Sequence, residues 1–306
     1  SADTWFRDIM FDCVLCPRAC HVNRLAGQTG YCGQTAELMA ARASLHYWEE
    51  PCISGTSGSG TVFFSGCNLR CVFCQNHNIA LGKAGRVIAP EHLAEIFLQL
   101  QEQGANNINL VTPTHFLPQI VIALEQAKQQ GLHLPIVYNT GSYESPEALR
   151  HLEGLVDIYL PDLKYFSPEL STAYSHAPDY FETACAAISE MYRQVGDSVI
   201  DEDTGLMQHG MIVRHLLLPG QTKDSKKILR YLHETYGDHI YISIMNQYTP
   251  MLFVENIPEL NRKVTHREYD KAVDYAIGLG VVNGFIQEGG TAKESFIPEF
   301  SGEGLE

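Results

Sequence analysis

Phe64-Ser65-Gly66-Cys67-Asn68-Leu69-Arg70-Cys71-Val72-Phe73-Cys74-Gln75-Asn76 continues directly from an apolar run, Val62-Phe63-Phe64, and spaces its cysteines as C-x3-C-x2-C. Such spacing puts three thiolates on one short loop, where they can wrap a small metal cluster. With no obvious fourth thiol nearby, they point to an iron–sulfur cube in which three irons are held by protein and one stays open for chemistry. Two plainer readings compete: buried, unliganded thiols, or a zinc knuckle. Zinc sites more often pair C-x2-4-C units, with the second pair at a distance.

Outward from that loop, short apolar runs recur, each followed by a helical stretch. They fall at residues 62–64, 108–111, 135–138, 156–160, 211–217 and 240–244, with a seventh candidate at 281–286. The intervening helices have recognisable ends. Pro90 opens one at its first turn, Leu93, Ile96, Phe97 and Leu100 follow at helical spacing, and Gly104 ends it. Ser145-Pro146 opens a second, residues 179–195 form a third that stops at Gly196, and Thr265 with Glu268 makes a capping-box pattern for the last. Strand alternating with helix means α/β, a parallel sheet with helices outside. A closed barrel takes eight strands, so an open, partial (β/α)6 barrel is expected. The expected division is a loop-rich, cysteine-rich segment at 1–60, the barrel at 61–288 and a tail at 289–306. The Gly-rich run 54–60 lacks the Gly-Lys-Ser/Thr ending of a phosphate loop and reads as a turn into the first strand.

The chain has 306 residues, 45% of them hydrophobic and 10% aromatic, enough for a large core. A formal charge of -15 argues against nucleic acid as the main partner, since that binding runs on clustered Lys and Arg. No stretch approaches the ~20 apolar residues that span a bilayer, and no basic region followed by an apolar run opens the chain. The expectation is a cytoplasmic protein with reduced thiols and no membrane partner.

The cysteine spacing, with Phe73 directly before Cys74, resembles the signature of the radical S-adenosylmethionine (SAM) enzymes, and Cys13-x-Leu15-Cys16-Pro17-Arg18-x-Cys20 with Asn23-Arg24 and Gly27-x-x-Gly30-x-Cys32-Gly33 resembles an N-terminal segment in a poorly characterised branch similar to pyruvate formate-lyase activating enzyme. The resemblance covers roughly 61–288 and implies a partial barrel with a [4Fe–4S] cluster on Cys67, Cys71 and Cys74. It implies SAM on the open iron, cleaved by one electron to methionine and a 5′-deoxyadenosyl radical that removes a hydrogen atom from a substrate. It further implies an electron donor such as flavodoxin or ferredoxin.

Site residues follow from the strand ends. Phe73 is expected near the adenine. After the second strand the family commonly has a Gly-Gly-Glu run for the SAM amino group; this chain has Thr112-Pro113-Thr114-His115 instead, so Thr112, Thr114 or His115 is expected to serve. Asn139, then Asp162 and Lys164, match segments lying close to SAM in the activating-enzyme subgroup. Asp and Lys two apart on a strand point the same way and can address one ligand together; a surface ion pair of little energetic value is the plainer reading. Arg214 lies in an apolar strand and needs a partner, for which the SAM carboxylate is suited. Gln247 follows the sixth strand similarly.

Cys13, Cys16, Cys20 and Cys32 form a second set, four thiols within twenty residues. Their spacing leaves a zinc site, a second iron–sulfur cluster and unliganded thiols all open. Cys52 and Cys185 are isolated and read as structural. Three functions are consistent with these residues: a glycyl-radical-enzyme activase, a radical SAM enzyme acting on a small molecule or peptide, and a non-catalytic iron–sulfur carrier or assembly protein. The N-terminal cysteine segment and an acidic insertion at 197–210 are expected to cover the barrel mouth and favour a smaller substrate.

Overall fold

The computed structural model describes residues 1–286 and 302–306. Residues 287–288 of the expected barrel and 289–301 of the expected tail lie outside the described residues. Ten strands are present among those described: β1 (Met39–His46), β2 (Ser59–Phe64), β3 (Arg86–Val87), β4 (Ile108–Val111), β5 (Ile136–Thr140), β6 (Ile158–Pro161), β7 (Val199–Ile200), β8 (Met207–Leu216), β9 (Tyr241–Met245) and β10 (Gly284–Ile286).

Seven of them run parallel in the order β2-β4-β5-β6-β8-β9-β10. These are the six expected strands and the seventh candidate. β1 pairs antiparallel with β2 and with β3, so β3 and β10 end the sheet and the barrel stays open. Strands covered on both faces read as continuous apolar runs, and every residue of β2 is buried. The helix Pro90–Glu102 buries Leu93, Ala94, Ile96, Phe97 and Leu100 on one stripe. Fully burying one such side chain contributes about 1.5–3 kcal/mol.

The first sixty residues hold more regular structure than their weak periodicity announces. Ala2–Phe11 is a helix and β1 is eight residues long. Between them the cysteine segment is made of turns and one short helical turn, Arg24–Ala26, as expected of a loop-rich stretch. A four-residue helix, Pro51–Ser54, then places Cys52 and Ile53 in one buried cluster with Val137, Ile158, Leu160, Met207 and Ile212. Cys52 is therefore part of an apolar plug. The run after it turns through Gly55 and Gly58 into β2.

The acidic insertion does not cover the mouth. β7 pairs with the N-terminal end of β8, through Val199 with His209 and Ile200 with Met207. That hairpin extends the end of the sheet opposite the strands' C-terminal ends, where functional groups gather.

Candidate active site

Strand alternation builds the site. Side chains two apart share a face, so Asn139 follows the buried Val137, Asp162 follows Ile158 and Leu160, and Arg214 follows Ile212. The inner face thus begins as the apolar plug and ends in polar groups. Lys164 continues the face of Asp162, and its ammonium lies 3.1 Å from that carboxylate. Burial alone would lower the Lys164 pKa, but the Asp162 charge more than offsets this and holds it above the usual lysine range.

These ends open into a cavity of about 300 Å³, within the usual range for small-molecule sites. Cys67, Cys71, Phe73, Cys74, Thr112, Thr114, Asn139, Asp162, Lys164, Arg214 and Gln247 all line it. His115 does not. Its Nε2 donates to the carbonyl of Ser65 at 2.5 Å, and its ring lines a separate cavity beside Cys13, Cys16, Cys20 and Cys32. The helical turn Thr114–Phe116 sends neighbouring side chains to different sides, which spacing in an irregular segment does not reveal. Thr112 holds a left-handed φ of 55°, a conformation that costs a residue with a branched Cβ of order 1–3 kcal/mol and clusters at functional sites.

The three thiols line this one cavity. Among the described residues no three Cys, His, Asp or Glu side chains come close enough to share one metal ion. Cys71 Sγ lies 2.9 Å from Ser175 Oγ, whose hydroxyl in turn lies 2.6 Å from that of Tyr165. The backbone N–H of Leu69 donates to Cys67 Sγ at 3.4 Å. Burial pushes the Cys67 thiol up, and the Cys74 thiol up to about 12. Thiolates so buried need a bound cation to exist. Phe73 is held by the edges of Tyr165, Tyr174 and Tyr248 at centroid distances of 6.3, 6.2 and 6.1 Å, geometry typical of packed aromatics.

Arg214 has partners that its sequence position did not disclose. Nη1 donates to Glu49 Oε2 at 2.7 Å and lies 3.7 Å from Glu50 Oε2, while Nη2 donates to Asn139 Oδ1 at 2.5 Å. Burial opposes the Arg214 charge, and Glu50, Glu49 and Asp162 together more than restore it. Glu49 and Glu50 reach the site because the Pro51 helix turns back into the barrel. An acidic pair directly before a proline was the available signal, and nothing nearby in sequence names its partner 165 residues away. Arg214 Nε and Asp162 Oδ1 are buried beside the cavity with no hydrogen-bond partner, 3.7 Å from each other. Buried polar atoms normally have partners. A ligand carrying both amino and carboxylate groups would supply them, so these residues and the three thiols fit a SAM-bound cluster.

A sequence profile of the radical SAM superfamily matches residues 61–232, more than half of the 306. The chain belongs to the radical SAM superfamily. Membership implies a [4Fe–4S] cluster and bound SAM. The chain is 28% identical over 280 residues to an uncharacterized protein of Methanocaldococcus jannaschii, covering 88% of this chain and 75% of that one. It is 29% identical over 121 residues to the pyruvate formate-lyase-activating enzyme of Clostridium pasteurianum, which is 37% of this chain and 48% of that enzyme. Among solved structures, Streptococcus suis SuiB bound to precursor peptide SuiA superposes with a TM-score of 0.49 at 14% identity, over 72% of this chain and 46% of that one. A domain of pyruvate-formate lyase-activating enzyme from Bacteroides vulgatus gives 0.44 at 14% identity, over 60% of this chain and all of that domain. Among the described residues of this radical SAM chain, no helix is long and apolar enough to cross a membrane.

Proposed function

We propose that this chain cleaves SAM with one electron and takes a hydrogen atom from a polypeptide glycine, in the manner of an activase. The observation that carries the reading is the meeting of three loop thiols with the polar ends of β5, β6 and β8 in one cavity. When bound, the cluster and SAM supply the one-electron cleavage of a carbon–sulfur bond. Overall, one electron and one SAM are consumed, methionine and 5′-deoxyadenosine are released, and the substrate is left short of one hydrogen atom. The electron comes from a low-potential donor protein of the flavodoxin or ferredoxin class in a reducing cytoplasm.

The protein's own part is binding, orientation and exclusion of water. Cys67, Cys71 and Cys74 hold the cluster. Asp162 Oδ1 accepts from an ammonium group, and Arg214 Nε donates to a carboxylate, each meeting an atom that otherwise has no partner. Phe73 and Tyr248 present aromatic surface to an adenine. The apolar plug seals the barrel behind the reacting groups.

Two facts support a polypeptide substrate. One is the similarity to the Clostridium enzyme; the other is that the acidic hairpin lies away from the mouth. The binding half of the reading is tested by adding SAM to the anaerobically reconstituted, reduced protein and recording the cluster's paramagnetic resonance. SAM should change the spectrum; an unchanged spectrum would sink the reading. The substrate half is tested with an extract of the source cells grown on α-deuterated glycine. Deoxyadenosine should acquire deuterium, and unlabelled product would move the hydrogen donor away from glycine.

A further inference from the structure

We propose that the cavity lined by Cys13, Cys16, Cys20 and Cys32 is the seat of a second [4Fe–4S] cluster, held by four thiolates against the back of the radical SAM loop. Four thiols from one irregular segment line one cavity, which leaves unliganded surface cysteines a poor description of them.

A cube rather than a single ion is indicated by the likeness of this segment to the radical SAM loop. Zinc gathers its ligands at about 2.3 Å around one point, whereas a cube takes its thiolates at separate corners. The two segments share local form. Cys16 and Cys20 repeat the C-x3-C spacing of Cys67 and Cys71, and the residue before the second cysteine is left-handed in both, Ala19 at φ 44° and Arg70 at φ 55°.

The cavity wall is made for an anionic guest. Arg24 is only 2% exposed, and its Nη1 lies 3.8 Å from Cys13 Sγ. A buried guanidinium needs a counter-charge, and its other hydrogen bonds go to the neutral carbonyl of Thr35. The N–H of Tyr31 donates to Cys20 Sγ at 3.3 Å, the kind of bond that tunes cluster sulfur. His115, also 2% exposed, leaves Nδ1 buried with no partner. Gly30 permits the close fit, because a Cβ there would stand 2.5 Å from Cys20 Sγ.

The two sites are in contact through backbone. Arg18 Nε donates to the carbonyl of Asn68 at 2.8 Å, and the Cys32 carbonyl lies 3.0 Å from where a Cβ on Gly66 would be. Anaerobic reconstitution followed by iron, sulfide and zinc analysis tests the proposal independently of SAM chemistry. The wild-type chain should hold about eight irons and eight sulfides, against about four of each for one cluster. The Cys67→Ala/Cys71→Ala/Cys74→Ala variant should keep about four irons and a reduced-state signal that SAM leaves unchanged. A wild-type chain with only about four irons, or a folded triple variant that binds no iron or holds one zinc that iron does not displace, would overturn it.

Discussion

Arg214 sits within reach of three carboxylates, and its loss would strand Glu49 and Glu50 without their nearest cation. Breaking a buried pair by removing one partner costs about 3–5 kcal/mol. Arg214→Ala should therefore lower unfolding stability by that order, and adding Glu49→Gln should recover part of it. Urea midpoints for the single and double variants check this; additive losses would mean that the pair is not coupled. Glu144 carries a different charge effect. Burial pushes its carboxyl up to about 7 despite hydrogen bonds from Thr140 at 2.7 Å and Thr114 at 3.1 Å. Between its ordinary value of 4.5 and about 7, the folded form keeps a proton that the unfolded form has released. Stability should fall as pH rises through that window, by roughly 3 kcal/mol, and stay level above it. Glu144→Gln should remove the decline, which denaturant midpoints at several pH values would show; a parallel decline in the variant would refute the assignment. At this scale the strand-end residues were legible because position after a strand fixes direction. Glu49, Glu50 and the orientation of His115 were not, since each depends on a contact distant in sequence.

At the scale of elements, the parallel strands and the long helices could be read because their apolar runs and caps are local. Thr265 caps its helix as the pattern said, with both bonds of the capping box present. β1 escaped notice because Met39-Ala40-Ala41-Arg42-Ala43-Ser44-Leu45-His46 is rich in small residues and shows no clean alternation. β3 and β7, two residues each, carry no pattern at all. The placement of the acidic insertion is not legible, because sequence shows that a segment is long without showing from which end of the sheet it projects. Replacing Glu202-Asp203-Thr204-Gly205 by Gly-Gly should accordingly leave SAM affinity within about twofold. Calorimetric titration checks this, and a loss of tenfold or more, about 1.4 kcal/mol, would place the hairpin at the mouth.

For the whole molecule, an open barrel needs its lower end sealed and its loop face supported. The Pro51 helix does the first by carrying Cys52 and Ile53 into the strand cluster. The cysteine segment does the second, through Arg18, which reaches the carbonyls of Asn68, Ser175 and His176 and stacks over Tyr31 at 3.9 Å. Ser175 also meets Cys71, so the N-terminal segment and the cluster loop share one support. The architecture therefore serves three thiols and the cavity beside them. The most direct test is to reduce the reconstituted protein with SAM present and quantify 5′-deoxyadenosine, for the wild type and for Cys71→Ala. The wild type should form it and the variant should form none above a protein-free control. Equal formation by both, or none by a wild type with its cluster in place, would contradict the assignment of Cys67, Cys71 and Cys74 to radical SAM chemistry.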